Sequence, residues 1–142
     1  MKKSILLSLV LAFAISLSAQ EKKSVEFTEI THDFGTVQEG ASENGKLLHV
    51  FVFKNVGTTP VFVENVKASC SCTAAAPADK TKPILPGETG EIPVTYTRAN
   101  SPGSFNKSVT VSFKDGNENA FTEVIYIKGN ITPKPQEPAT TY

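Results

Sequence analysis

Leu47-Leu48-His49-Val50-Phe51-Val52-Phe53-Lys54-Asn55 is the stretch whose reading decides the fold. Side chains of an extended chain alternate between two faces. His49, Phe51 and Phe53 therefore share one side, and Val50 and Val52 share the other. Apolar residues on both sides predict a strand with both faces at least partly covered and with Phe53 in the core. Gly57-Thr58-Thr59-Pro60 then turns the chain. Val61 to Lys67 returns as the next strand and runs directly into Ser69-Cys70-Ser71-Cys72-Thr73.

The same period of two recurs in both directions along the chain, between turn residues. Val25 to Phe27 and Ile30 to Val37 read as short strands, ended by Glu39-Gly40. Ala74 to Leu85 is poor in apolar residues and holds Pro77 and Pro83, so it reads as a loop. Pro86-Gly87 is a turn. Ile92, Val94 and Tyr96 alternate with Pro93 among them, which predicts an edge strand over Gly90 to Thr97. Ser101-Pro102-Gly103 leads into Phe105 to Phe113, with Val109, Val111 and Phe113 on one face. Asp115-Gly116-Asn117 closes a hairpin toward Phe121 to Ile131, where Ile125, Ile127 and Ile131 alternate. About seven short strands without a helix predict an all-β domain, a single immunoglobulin-like β-sandwich. An antibody-type domain is excluded: tryptophan is absent, and the two cysteines are too close to bridge two sheets.

The ends of the 142-residue chain differ in composition from this middle. Lys2 and Lys3, the apolar run Ile5 to Leu17 and the small residues up to Ala19 have the three parts of a secretory signal, with cleavage after Ser18 or Ala19. The run is short of the roughly 20 residues a membrane-spanning helix needs. Residues 1–19 are thus read as a signal peptide, 20–132 as the sandwich domain and 133–142 as a disordered tail rich in Pro and Thr. The expected product is exported, periplasmic or extracellular, with no membrane segment left after cleavage. It is not a lipoprotein, because no cysteine lies near the cut. Cleavage leaves 12 basic and 14 acidic residues, a formal charge of −2 without a basic block. That balance argues against nucleic acid or an anionic membrane as partner.

Cys70 and Cys72 are the only cysteines. In an exported protein they admit a small disulfide or buried thiol pair, a reactive redox pair, or part of a metal site. Extended Cα atoms two residues apart are about 6.6 Å from each other, near the upper end of disulfide geometry. A turn or bulge at the strand end shortens that distance. We expect a Cys70–Cys72 disulfide, more easily reduced than an ordinary structural bridge because the ring is so short. Redox catalysis is disfavoured, since Cys-x-Cys is not Cys-x-x-Cys at a helix start. For a metal at Cys70 and Cys72, His32 and His49 are the only histidines on offer, and the one methionine leaves with the signal. His49, on the Phe51 and Phe53 face, reads as a hydrogen-bonded core histidine, and His32 as orienting a turn at Asp33. No cofactor and no catalytic residues are expected. Asp33-Phe34-Gly35 copies a kinase trio by chance, because the other kinase motifs are missing.

Asp33-Phe34-Gly35-Thr36-Val37, Phe51-x-Phe53-x-Asn55-x-Gly57, Ser69-Cys70-Ser71-Cys72-Thr73, Leu85-Pro86-Gly87-Glu88 and Gly103-x-Phe105-x-Lys107-x-Val109 occur in this order. Together they resemble a family of exported bacterial domains of unknown function, with an immunoglobulin-like fold related to the major-sperm-protein and PapD-like group and to the ASPM, SPD-2 and Hydin repeats. Ser71 departs from the pattern, where glycine is the usual residue. The motif residues Asn55, Gly57, Pro86 and Gly87 suit turns needing a positive or preset φ. The resemblance implies little about activity; the related domains are mostly scaffolding, docking or chaperone modules, and fold does not fix function. The leading expectation is a non-enzymatic domain that binds an unidentified protein of the cell envelope. A thiol–disulfide or copper-handling protein using Cys70 and Cys72 is the alternative, and carbohydrate binding a weaker one.

Overall fold

The computed structural model describes residues 23–76 and 79–136. The signal-like segment, the tip of the 74–85 loop and the end of the tail lie outside the described residues. Eight strands follow in order: β1 Val25–Phe27, β2 Thr31–Gln38, β3 Leu47–Asn55, β4 Val61–Ala68, β5 Thr73–Ala75, β6 Thr89–Tyr96, β7 Gly103–Asp115 and β8 Ala120–Thr132. They form two four-stranded sheets, β1-β3-β6-β5 and β2-β8-β7-β4. Pairing is antiparallel except for β2, which runs parallel to β8. The molecule is an immunoglobulin-like β-sandwich, with one strand more than the seven expected.

The inward face of each strand is the face its alternation predicts. Phe51 and Phe53 of β3, Ile92 and Val94 of β6, Val109, Val111 and Phe113 of β7, and Ile125, Ile127 and Ile131 of β8 are all buried between the sheets. Phe53 packs against Phe27 and Phe113, with ring centroids 5.5 and 5.1 Å away. Tyr96 stacks on Phe105 at the other end of the core. The outer face of β3 departs from expectation. Leu48 is 62% exposed and Val50 38% exposed, because none of the described residues packs over the first sheet there.

The additional strand, β5, is three residues long and lies in the segment read as a loop. It covers Val94 to Tyr96 of β6, and Ala76 N–H adds a bond to the Pro93 carbonyl. Consequently the expected edge over Gly90 to Thr97 is corrected: its second half is an interior strand, and only Thr89 to Ile92 lacks a strand on that side. A three-residue pairing has no sequence period to reveal it.

The motif residues Asn55, Gly57, Pro86 and Gly87 converge in space. Asn55 is a buried strand residue rather than a turn residue. Its Nδ2 donates to the carbonyls of Thr59 and Ile84, each at 2.8 Å, and its Oδ1 accepts from Gly57 N–H at 2.9 Å. Gly87 N–H bonds the Asn55 carbonyl at 2.8 Å, with Gly87 at φ +86°. Gly57 is not in the left-handed region. A Cβ there would sit 3.2 Å from Asn55 Oδ1 and 3.3 Å from Ser24 Cβ, so its neighbours would have to give by a few tenths of an ångström. Asp33 Oδ1 accepts from Gly35 N–H at 2.8 Å, and Gly35 at φ +66° lies at the irregularity in β2. This backbone bond, helped by Lys128, lowers the Asp33 carboxyl below its ordinary value. Gly103, at φ +134°, opens β7. These residues fix loops and strand ends.

Candidate functional site

The cysteines lie where the chain passes from one sheet to the other, between β4 and β5. They are bonded to each other across a turn that brings their Cα atoms to 5.2 Å, well under the extended spacing. The turn is held independently of the sulfurs. Ser69 N–H donates to the Ser108 carbonyl, and Ser69 Oγ accepts from Ser108 N–H. The Cys72 carbonyl accepts from both the N–H and the hydroxyl of Thr97, at 2.9 and 3.1 Å. Cys72 is 8% exposed and Cys70 half-buried. The hydroxyl of Thr73 is 3.7 Å from the Cys70 sulfur.

A ring this short removes little entropy from the unfolded chain, about 1.6 kcal/mol by the loop-closure relation. Reduction is therefore expected to lower unfolding stability by no more than about 2 kcal/mol. Denaturant titration with and without reductant measures this, after intact-mass analysis has shown that untreated protein takes no alkyl group. A loss of about 4 kcal/mol would make the bridge the main staple of this region, and two alkyl groups on most molecules would exclude the bridge.

The histidines meet in a place the sequence did not indicate. Phe27 ends β1 in the first sheet and Thr31 begins β2 in the second, so Glu29 lies at the crossing between sheets. Beside it, His32 of β2 and His49 of β3 stack with ring centroids 3.5 Å apart and planes within 7°. Glu29 Oε1 is 2.5 Å from His49 Nε2 and 3.4 Å from His32 Nδ1. Each imidazole also meets the edge or face of the phenylalanine two residues on, His32 with Phe34 and His49 with Phe51, both at 4.7 Å. Residues two apart share a strand face, so the His-x-Phe spacing fixes these contacts.

The core-face reading of His49 holds in the main, and the turn reading of His32 needs correction. His49 shares the core face but keeps about a fifth of its side chain exposed at the sandwich edge. Its buried Nε2 lies against Glu29 Oε1. Burial lowers the His49 pKa from its ordinary value, His32 adds to this, and Glu29 opposes it. His32 faces this cluster, while the Asp33 carboxylate makes the turn by itself. Glu29 escaped sequence reading because nothing in its pattern sets it apart from other exposed acids.

A third feature is the side of β3 facing away from β6. β1 pairs only with Phe53 to Asn55, and Thr28 N–H bonds the Val52 carbonyl. Backbone polar groups alternate sides along a strand, so those of Leu48 and Val50 also point to this side. Among the described residues no strand pairs there. A concavity of about 210 Å³ lies elsewhere, between Thr89–Glu91 and Asp79, Lys82 and Ile84. Shallower and wider ones lie beside Gln38–Ala41 and Lys134, and beside Phe62–Glu64 and Lys114.

The model of a family described as "Protein of unknown function (DUF1573)" matches residues 25–131. No curated protein matches the chain. Among solved structures, the chain is similar to the ASH / PapD-like domain 7 of human CEP192, with 13% identity, a TM-score of 0.64 and coverage of 86% of this chain and 94% of that one. It is also similar to the VesB protease of Vibrio cholerae, at 11% identity and a TM-score of 0.62. There it covers 78% of this chain but only 32% of that one. The periplasmic chaperone SfaE is matched at 7% identity and a TM-score of 0.52, over 82% of this chain and 61% of that one. At such identities these likenesses concern the fold alone. No helix among the described residues is long and apolar enough to cross a membrane.

Proposed function

Since this chain belongs to the DUF1573 family, whose description carries no activity, we propose that it is a non-enzymatic binding module of the cell envelope, and that it accepts an extended segment of a partner protein along the open side of β3. The signal-like residues 1–19 support the envelope location. The observation that carries the docking surface is a contrast among the open edges. The outer edge of β2 is broken by the irregularity at Asp33 to Thr36. That of β4 is bonded to Ile84 at its start and has a second irregularity at exposed Glu64. On β6 the open half carries exposed Glu91 next to Pro93. Bulges, charges and prolines are the devices that discourage strand addition. Leu48 and Val50 have none of them and combine free backbone groups with exposed apolar side chains. Main-chain bonds would supply affinity, and apolar contacts over Leu48 and Val50 specificity.

A photo-crosslinking residue at position 48 or 50 in intact cells should give one discrete adduct, while the same residue at 64 or 91 should not. Val50→Lys should abolish the adduct formed from position 48 and leave the unfolding midpoint nearly unchanged, whereas Cys70→Ser should retain it. Adducts from position 91 alone would move the docking edge to β6, and loss with Cys70→Ser would move the function to the cysteines. Thr95 is unsuited to such a test, because it pairs with both Leu48 and Ala74 and a proline there would disrupt two ladders.

A further inference from the structure

We propose that Glu29, His32 and His49 form a binding site for one divalent cation of the zinc and copper class, joining the two sheets at their edge. One ligand atom from each residue lies within 4.8 Å of the others. Two imidazoles and one carboxylate suit borderline cations, and three protein ligands leave a position for water or an incoming group. Ligand geometry is supported from behind: Phe34 and Phe51 hold the two rings edge to face.

His49 Nε2 is buried with Glu29 Oε1 2.5 Å from it. A ring nitrogen and a carboxylate oxygen this close favour a positive charge between them, which either a proton on the ring nitrogen or a bound cation supplies. In the stacked arrangement the ring planes are parallel and their nitrogen lone pairs do not converge. Uptake must therefore fan the rings apart. Glu29, on the exposed crossing between sheets, has room to follow. Because His32 belongs to one sheet and His49 to the other, a bound cation ties the sheets together and should raise the unfolding temperature, as any ligand specific for the folded state does.

Calorimetric titration of the untagged chain with zinc chloride, repeated with copper chloride, is expected to show one site. Both histidine ring-proton resonances should move away from their stacked-ring positions, and the unfolding temperature should rise. His32→Gln and His49→Gln should each weaken binding at least about tenfold, and circular dichroism verifies that each variant is folded. Should His49→Gln fail to fold, Glu29→Gln and His32→Gln, at the less buried positions, provide the same comparison. Cys70→Ser with Cys72→Ser should leave affinity unchanged. Absence of stoichiometric uptake would overturn the proposal. Equal binding by the His32→Gln protein, or loss of binding in the cysteine variant, would overturn it as well. Neither result touches the β3 edge, which is read by crosslinking without added metal.

Discussion

Phe53→Ala is expected to lower unfolding stability by about 3–5 kcal/mol, the range for truncating a buried aromatic residue. The ring is fully buried and packs against Phe27 and Phe113, so its removal leaves a cavity between the sheets. Lys54→Ala, one residue on and exposed, should cost within about 0.5 kcal/mol. Similar effects for the two would invert the assignment of the faces of β3. A second substitution tests the packing itself. Gly90 lies opposite Phe53 across the β3–β6 ladder, and a Cβ there would come 2.3 Å from Phe53 Cζ. Gly90→Ala should therefore cost about 1–3 kcal/mol by overpacking. In the Phe53→Ala background the same change should cost almost nothing, because the ring it strikes is gone. Additive losses in chemical denaturation would show that Gly90 is needed for another reason.

Asn55→Ala should cost roughly 3–4 kcal/mol. The side chain satisfies Gly57 N–H and the carbonyls of Thr59 and Ile84, and each buried group left without a partner costs about 1–3 kcal/mol. Two of the three are only partly buried and regain water, which keeps the sum below its upper bound. Asn55→Asp should be no better tolerated, because a carboxylate has no N–H for the two carbonyls. Asn65→Ala, exposed on β4, is the control and should stay within about 0.5 kcal/mol. If Asn55→Ala unfolds at the denaturant concentration of the native chain, the clamp between the β3–β4 turn and the Ile84–Glu88 segment contributes no stability.

These two positions also show why the recurring motifs point to structure rather than to chemistry. Asn55, Gly57 and Gly87 are spread over more than thirty positions, yet they share one hydrogen-bonded knot. Asp33 and Gly35 close one turn. Cys70 and Cys72 close another, at the passage between sheets. Residues that lock loops onto a sandwich leave its edges and outer faces free for partners. The proposed binding surface at Leu48 and Val50 contains none of them.

What the sequence determined by itself was everything set by a period of two and by turn chemistry: the long strands, the inward faces of Phe53, Val111 and Ile127, and the glycine turn at Gly87. Those features depend on neighbours along the chain, and an alternating run has only one way to bury its apolar side. Tertiary structure alone decided the rest. It placed β5 over half of β6, a three-residue pairing too short to carry a pattern, and it left the first half of β3 open because β1 pairs only with Phe53 to Asn55. It turned Asn55 from a turn residue into a buried clamp, because its partners lie four residues away at Thr59 and twenty-nine away at Ile84. It also brought Glu29 and His32 against His49 across two sheets. Contacts between distant segments are set by how the sheets pack, and no local rule ties those three residues together.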